Sequence, residues 1–295
     1  MTTRLPIYPA DKPRRQKSDT RAVTLTIDGQ ETVVPEGSTL LEAIRARGID
    51  TPTLCFAENL TPVNVCRICV VEVEGSRTLV PSCSRKAEAG MVVKTDSDRV
   101  RTSRKVVIEL LASSVDMSQT PGFAEWMDRY GADPARFGAD ARTKAQPTKE
   151  DNELFARDYD KCILCYKCVE ACGEDAQNTF AIAVAGRGFE ARISTELDVA
   201  LPDSACVFCG NCIGVCPTNA LVFSTELAMR RAGTWDESRQ KRSTTVCPYC
   251  GVGCAVTLHV QDDKIVKATS PVESTVTEGH LCVKGRFGWQ YVGSK

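Results

Sequence analysis

Sixteen cysteines dominate the chemistry open to this 295-residue chain, and they fall into four sets of four. The first is Cys55, Cys66, Cys69 and Cys83, separated by 10, 2 and 13 residues. The second (Cys162, Cys165, Cys168, Cys172) and the third (Cys206, Cys209, Cys212, Cys216) share gaps of 2, 2 and 3 residues. The fourth is Cys247, Cys250, Cys254 and Cys282, with gaps of 2, 3 and 27. Thiolates two or three residues apart bind thiophilic metals. Zinc uses such pairs, and iron–sulfur clusters use quartets of them. Wholesale disulfide pairing would instead require an oxidising compartment and usually a small secreted domain.

The repeated motif resembles the run of two-cluster bacterial ferredoxins, and that resemblance implies that three closely spaced cysteines cap three corners of a cubane while the fourth reaches across to the other cluster. That rule groups Cys162, Cys165 and Cys168 with Cys216, and Cys206, Cys209 and Cys212 with Cys172. Pro217 follows the second motif and Gly173 the first; glycine also permits a sharp turn.

Each quartet needs elements to hold it. Ala22–Ile27 alternates apolar and polar residues as a strand does, Asp28-Gly29 is a hairpin turn, and Thr32–Val34 is the return strand. Thr39 with Glu42 three residues on forms a capping box for a short helix carrying Leu40, Leu41 and Ile44 and ending at Gly48. Val100–Leu111 has the pattern of an amphipathic helix. Thr179–Val199 reads as a hairpin about Gly186-Arg187-Gly188. The expected division is a disordered tail at 1–20, a first domain at 21–98, a helical connector at 99–158, a two-cluster domain at 159–225, a polar linker at 226–243 and a strand-rich module at 244–295.

Several of these segments are similar to known families. Strand, strand, helix and cysteine loop, with Cys66-Arg-Ile-Cys-Val-Val-Glu-Val73, resemble the β-grasp ferredoxin domain of the complex I large iron–sulfur subunit, iron-only hydrogenases and NAD-linked formate dehydrogenases. The resemblance implies a [2Fe–2S] cluster on Cys55, Cys66, Cys69 and Cys83, with a zinc site as the alternative. The repeated motif resembles bacterial two-cluster ferredoxins. Cys247-Pro-Tyr-Cys-Gly-Val-Gly-Cys254 and Cys282-Val-Lys-Gly-Arg-Phe-Gly-Trp289 resemble the N-terminal [4Fe–4S] module of molybdopterin oxidoreductases. That match implies a cubane on Cys247, Cys250, Cys254 and Cys282, with Lys284 relaying electrons toward a pterin; a zinc ribbon and a solvated lysine are the alternatives. His259 reads as a strand residue, and His280 as a neighbour of the last site rather than a ligand.

Complex I-type relatives place a cluster held by one histidine and three cysteines after the first domain. Residues 84–161 contain neither residue type, so that cluster is not expected, and the link between the first quartet and the cubanes is left open. No Walker loop or dinucleotide fingerprint occurs; Gly186-Arg-Gly188 and Gly251-Val-Gly253 lack the third glycine.

The whole reads as an α+β, multidomain iron–sulfur protein with one [2Fe–2S] and three [4Fe–4S] clusters. Its order resembles the N-terminal third of the α subunit of a molybdenum or tungsten formate dehydrogenase linked to NAD(P). That resemblance implies three things: formate oxidation on a molybdopterin guanine dinucleotide held by a separate or following domain, a flavin diaphorase partner, and no activity of the chain alone. The rivals are a complex I-like or hydrogenase-linked subunit and a free-standing carrier. A net charge of −1 and 6% aromatic residues argue against nucleic-acid binding. Arg14-Arg15 is followed by no apolar stretch and no run suits a membrane span, so a cytoplasmic protein is expected.

Overall fold

The computed structural model describes residues 21–140 and 146–293. The expected tail at 1–20 lies outside them.

The first unit grows from local signals. Strand β1 (Ala22–Ile27) turns at Asp28 and Gly29, whose φ values of +48° and +79° suit the tight hairpin turn, into β2 (Gln30–Pro35). Helix α1 (Leu40–Ala46) starts at the expected box. The Thr39 N–H donates to Glu42 Oε2 at 2.6 Å, and the Glu42 N–H donates to Thr39 Oγ1 at 3.2 Å. Strands β3 (Val70–Val73), β4 (Val80–Pro81) and β5 (Val92–Lys94) complete a mixed sheet of order β2-β1-β5-β3-β4. Strand β5 runs parallel to β1 and antiparallel to β3. Leu25, Ile27, Leu40, Ile44, Val71 and Val93 form the core between helix and sheet. Burying each such side chain contributes about 1.5–3 kcal/mol.

Helix α2 extends beyond the expected span, covering Asp98–Ser114, because Ser97 accepts from the Val100 N–H as its N-cap. With α3 (Phe123–Tyr130) it builds a second core of Leu54, Ile68, Ile108, Met117 and Phe123. Its inner face is not simply apolar. Arg104 and Glu109 are buried. Arg104 donates to Tyr130 Oη at 2.8 Å and Val70 O at 3.0 Å, while Glu109 pairs with Arg136 at 2.6 Å.

The two-cluster unit consists of β6 (Phe155–Arg157), α4 (Lys167–Cys172), the hairpin β7 (Ala183–Ala185) with β8 (Arg192–Ser194), α5 (Asn211–Val215) and β9 (Leu221–Phe223). Strands β6 and β9 pair antiparallel and close its ends together. At the hairpin tip Gly186 has φ +73°, and a Cβ there would lie 2.3 Å from Glu190 O, so only glycine fits.

The stretch 226–243, expected as a linker, is structured. Helix α6 (Ser224–Arg231) carries buried Glu226, which accepts from Asn219, Arg230 and Lys267 at 2.7–3.0 Å. Strand β10 (Lys241–Val246) begins inside the stretch and joins β11 (Ala255–Gln261) and β12 (Lys264–Thr269) in an antiparallel sheet. Helix α7 (Val283–Phe287) follows the last cysteine and delivers Phe287 into the core of the two-cluster unit. There it lies against Phe155 and Phe223, with ring centroids 6.2 and 5.6 Å apart. Among the described residues no helix is long and apolar enough to cross a membrane.

Candidate metal centres

The first quartet is carried by the loop after α1 and the start of β3, and closed by Cys83 after β4. Cys55, Cys69 and Cys83 are buried. Its thiols crowd one another: contact with Cys66, then Cys83, pulls Cys55 down, whereas Cys66 and Cys83 are pushed up by Cys55 and by burial. Four such groups cannot ionise together without a cationic core, which is the condition a cluster meets.

The repeated motifs come together crosswise. The thiols of Cys162, Cys165 and Cys168 each feel Cys216, and those of Cys206, Cys209 and Cys212 each feel Cys172. Helices α4 and α5 lie side by side, which exchanges the fourth cysteines. Burial pushes Cys162 up to about 11 and Cys165 up to about 12. Cys168 also senses Cys212, so the two groups adjoin. Among the described residues no set of three or more His, Cys, Asp or Glu suits a single ion. The group that four cysteines at these spacings hold is an iron–sulfur core.

Two buried polar groups fit such a core. Tyr159 Oη, which lies beside Arg157, and the Nε and Nη1 of Arg157 make no hydrogen bond of normal length. Arg157 lines a cavity with Cys172, Cys206, Cys209 and Cys212. Tyr159 lies by Cys168 and Cys162. Orphaned donors of this kind are rare unless a missing group satisfies them.

The fourth quartet is the most open. Cys250 and Cys282 are exposed, Cys254 half-buried and Cys247 buried; the thiol of Cys254, raised by burial, also feels Cys247, Cys282 and Cys250. Lys284 is exposed at the rim of a cavity of about 280 Å³ lined also by Cys247, Tyr249, Leu258 and Trp289. Val246 and Tyr249 line it and are exposed, as are Val252 and Val283, which adjoin cysteines of this quartet in sequence. His259 lies in β11, buried, with Nε2 2.9 Å from Thr269 Oγ1. His280 Nε2 lies 3.3 Å from Asn59 Nδ2.

The gap left open between the first quartet and the cubanes is closed by packing. Lys167, 9% exposed, feels Cys165 and Cys216 on one side and Cys55 and Cys66 on the other. At the far end, the buried guanidinium of Arg286 donates to Asn211 Oδ1 at 3.0 Å and lies by Cys209 and Cys212. Lys167 thus adjoins both the first quartet and the Cys162 group, and Arg286 ties the Cys209–Cys212 loop to the helix after Cys282. Lys167, Arg157, Asn211 and Arg286 were not singled out from sequence. Three of them lie inside or just after cysteine motifs, whose signal is the thiols, and Arg157, the last residue of β6, carries no sequence signal of its own.

Three family models match the chain. Residues 20–98 match a 2Fe-2S iron-sulfur cluster binding domain, 161–220 a 4Fe-4S dicluster domain, and 240–294 a molybdopterin oxidoreductase Fe4S4 domain. The chain is built of iron–sulfur domains. Related curated proteins include an NADH-quinone oxidoreductase subunit of Rhizobium meliloti, 31% identical over 92% of this chain and 32% of its own length. The α subunit of the NADPH-Fe(3+) oxidoreductase of Geobacter sulfurreducens is 32% identical, with the same coverages. A candidate formate dehydrogenase of Staphylococcus haemolyticus is 28% identical over 92% of this chain and 31% of its own. The iron–sulfur chain therefore spans about a third of these relatives. It also resembles a chain of the crystal structure of an NAD+-reducing [NiFe]-hydrogenase in the H2-reduced state. The TM-score is 0.60 at 26% identity, over 68% of this chain and 87% of that one.

Proposed function

We propose that the chain is the electron-transferring N-terminal part of the α subunit of a cytoplasmic, NAD(P)-linked formate dehydrogenase. The observation that carries this reading is the fourth quartet. It matches the molybdopterin oxidoreductase Fe4S4 family, and its exposed cysteines and Lys284 sit within an apolar rim suited to a covering domain. In this reading 21–98, 159–225 and 244–295 are the cluster-bearing domains and 99–158 the connector. One [2Fe–2S] is held by Cys55, Cys66, Cys69 and Cys83. Three [4Fe–4S] clusters are held by Cys162, Cys165, Cys168 and Cys216; by Cys206, Cys209, Cys212 and Cys172; and by Cys247, Cys250, Cys254 and Cys282. When bound, these clusters supply one-electron carriers in series. The protein fixes their spacing, keeps water from the inner cysteines, and places cations at each junction: Lys167, Arg286 and, facing the pterin, Lys284.

A pterin-binding domain with molybdenum or tungsten, and a flavin-containing diaphorase, complete the proposed enzyme. The chain alone is expected to carry electrons without oxidising formate. A second reading, a subunit of the NADH-quinone oxidoreductase type, is favoured by the 31% identity to the Rhizobium protein. The test is to express the full operon, purify the complex containing this chain, and assay its metals and its formate-dependent dye and NAD(P)+ reduction. Molybdenum or tungsten with formate-driven reduction is the expected result. A complex with neither, but with NADH-driven quinone reduction, would establish the second reading. Formate turnover by the isolated, pterin-free chain would overturn the placement of the catalytic centre.

A further inference from the structure

Two of the largest fully buried side chains in the described structure are arginines, Arg157 and Arg286, each 1% exposed. They approach one cysteine group from different elements, and Cys209 and Cys212 lie near both. Arg157 rises from β6 and lines the cavity between Cys172, Cys206, Cys209 and Cys212. One of its nitrogens, Nη2, pairs with Asp151, while Nε and Nη1 are buried and make no hydrogen bond of normal length. Arg286 arrives from α7 of the last module. Its hydrogen bonds go to neutral oxygens, Asn211 Oδ1 at 3.0 Å and Cys209 O at 3.4 Å, and the acidic groups acting on it are Cys209 and Cys212. A Cβ on Gly210 would lie 3.0 Å from Arg286 Cγ and one on Gly214 3.2 Å from its Nη1, so the loop of the motif is shaped around this side chain.

A buried guanidinium with only neutral partners, and buried N–H groups that make no normal hydrogen bond, are both strongly unfavourable. An anionic, sulfur-rich group in the cavity removes both deficits. The neighbouring quartet is set differently. Its buried cation, Lys167, is shared with the first quartet, and the polar group beside Cys162 and Cys168 is the neutral hydroxyl of Tyr159, whose neighbour is Arg157.

We propose that Arg157 and Arg286 are positioning residues for the cluster at Cys172, Cys206, Cys209 and Cys212, and that they make it the more easily reduced of the two adjacent cubanes. This rests on the iron–sulfur reading above. Fixed positive charge and N–H donors directed at sulfur stabilise the extra electron of the reduced state, which raises the reduction potential. One electron enters from an external reductant and no bond is made or broken. An electron then rests beside the module that carries Lys284.

The experiment is an anaerobic redox titration of the iron-loaded chain with dithionite, followed by electron paramagnetic resonance. In wild type the two cubanes should reduce at separate potentials. Arg157→Gln and Arg286→Gln should each lower the upper one by about 59 mV or more, a tenfold loss in one-electron affinity. The [2Fe–2S] midpoint should stay fixed. Arg286→Lys should recover most of the shift. An unmoved upper midpoint at wild-type iron content overturns the proposal, as does a lysine variant that shifts as far as glutamine. Unmodified protein gives an independent reading. With 15N-labelled arginine, the cubane reduced first should show electron-spin-echo coupling to guanidinium nitrogen, and its absence overturns the proposal even if a variant fails to load. A chain that takes up no iron at all would instead sink the iron–sulfur reading.

Discussion

Burial in β11 holds His259 neutral, with its pKa pulled down to about 4 and nearby Lys267 and Arg242 reinforcing the effect. In the unfolded chain the same ring takes a proton near pH 6.5. A base whose folded pKa is depressed adds stability above its unfolded pKa and loses it as pH falls toward the folded one. At pH 5 the loss from this residue is about 2 kcal/mol, approaching about 3 kcal/mol near pH 4. Urea midpoints at pH 7 and pH 5 should therefore differ by more in wild type than in His259→Gln, which retains a partner for Thr269. Identical slopes would show that another group governs the acid limb. The strand position of His259 was legible from the alternation around it. Its hydrogen bond to Thr269 was not, because that depends on the register of β12 and the bulge at His259–Val260.

At the scale of elements, local chemistry was readable and distant pairing was not. The Asp28-Gly29 turn, the Thr39–Glu42 box and the hairpin about Gly186 each depend on residues within a few positions of one another. The parallel pairing of β1 with β5 joins Thr26 to Val92, and nothing in either segment announces it. The polar composition of 226–243 suggested a linker because charge usually marks a solvated surface. Glu226 is instead buried against Lys267 and Arg230, and the charges tie α6 to β12. The hairpin offers a sharp contrast between glycines. Gly186→Ala meets Glu190 O and should destabilise the two-cluster unit by about 2 kcal/mol or more. Gly29→Ala meets nothing within 4 Å and should cost only the left-handed backbone term of about 1 kcal/mol. Thermal bleaching of the visible absorption would rank the two; equal midpoints would contradict the close approach at Gly186.

For the whole molecule, the crossed grouping makes a prediction that follows space rather than sequence. Cys172→Ala should damage the cluster of Cys206, Cys209 and Cys212 and spare the one beside it in the chain. Cys66→Ala should remove the [2Fe–2S] signal alone. The fully loaded protein should hold about 14 irons per chain, measured anaerobically with acid-labile sulfide. Stoichiometric zinc, or loss of the Cys162 cluster in Cys172→Ala, would contradict these assignments. The cysteine quartets were plain in the sequence because spacing is one-dimensional. What brings their domains together was not: Asn59 bonds to Glu278 O at 2.8 Å and Thr61 to Asp175 at 2.6 Å, contacts between residues 219 and 114 positions apart.

Phe287 sits between Phe155 and Phe223 in the core of a unit whose other members all lie before residue 224. During translation, 64 residues separate Phe223 from Phe287. At about 5–20 residues per second the ribosome takes roughly 3–13 s to supply the missing ring. Until then the core around Phe155 and Phe223 lacks one of its rings, and that ring arrives on the helix that follows Cys282.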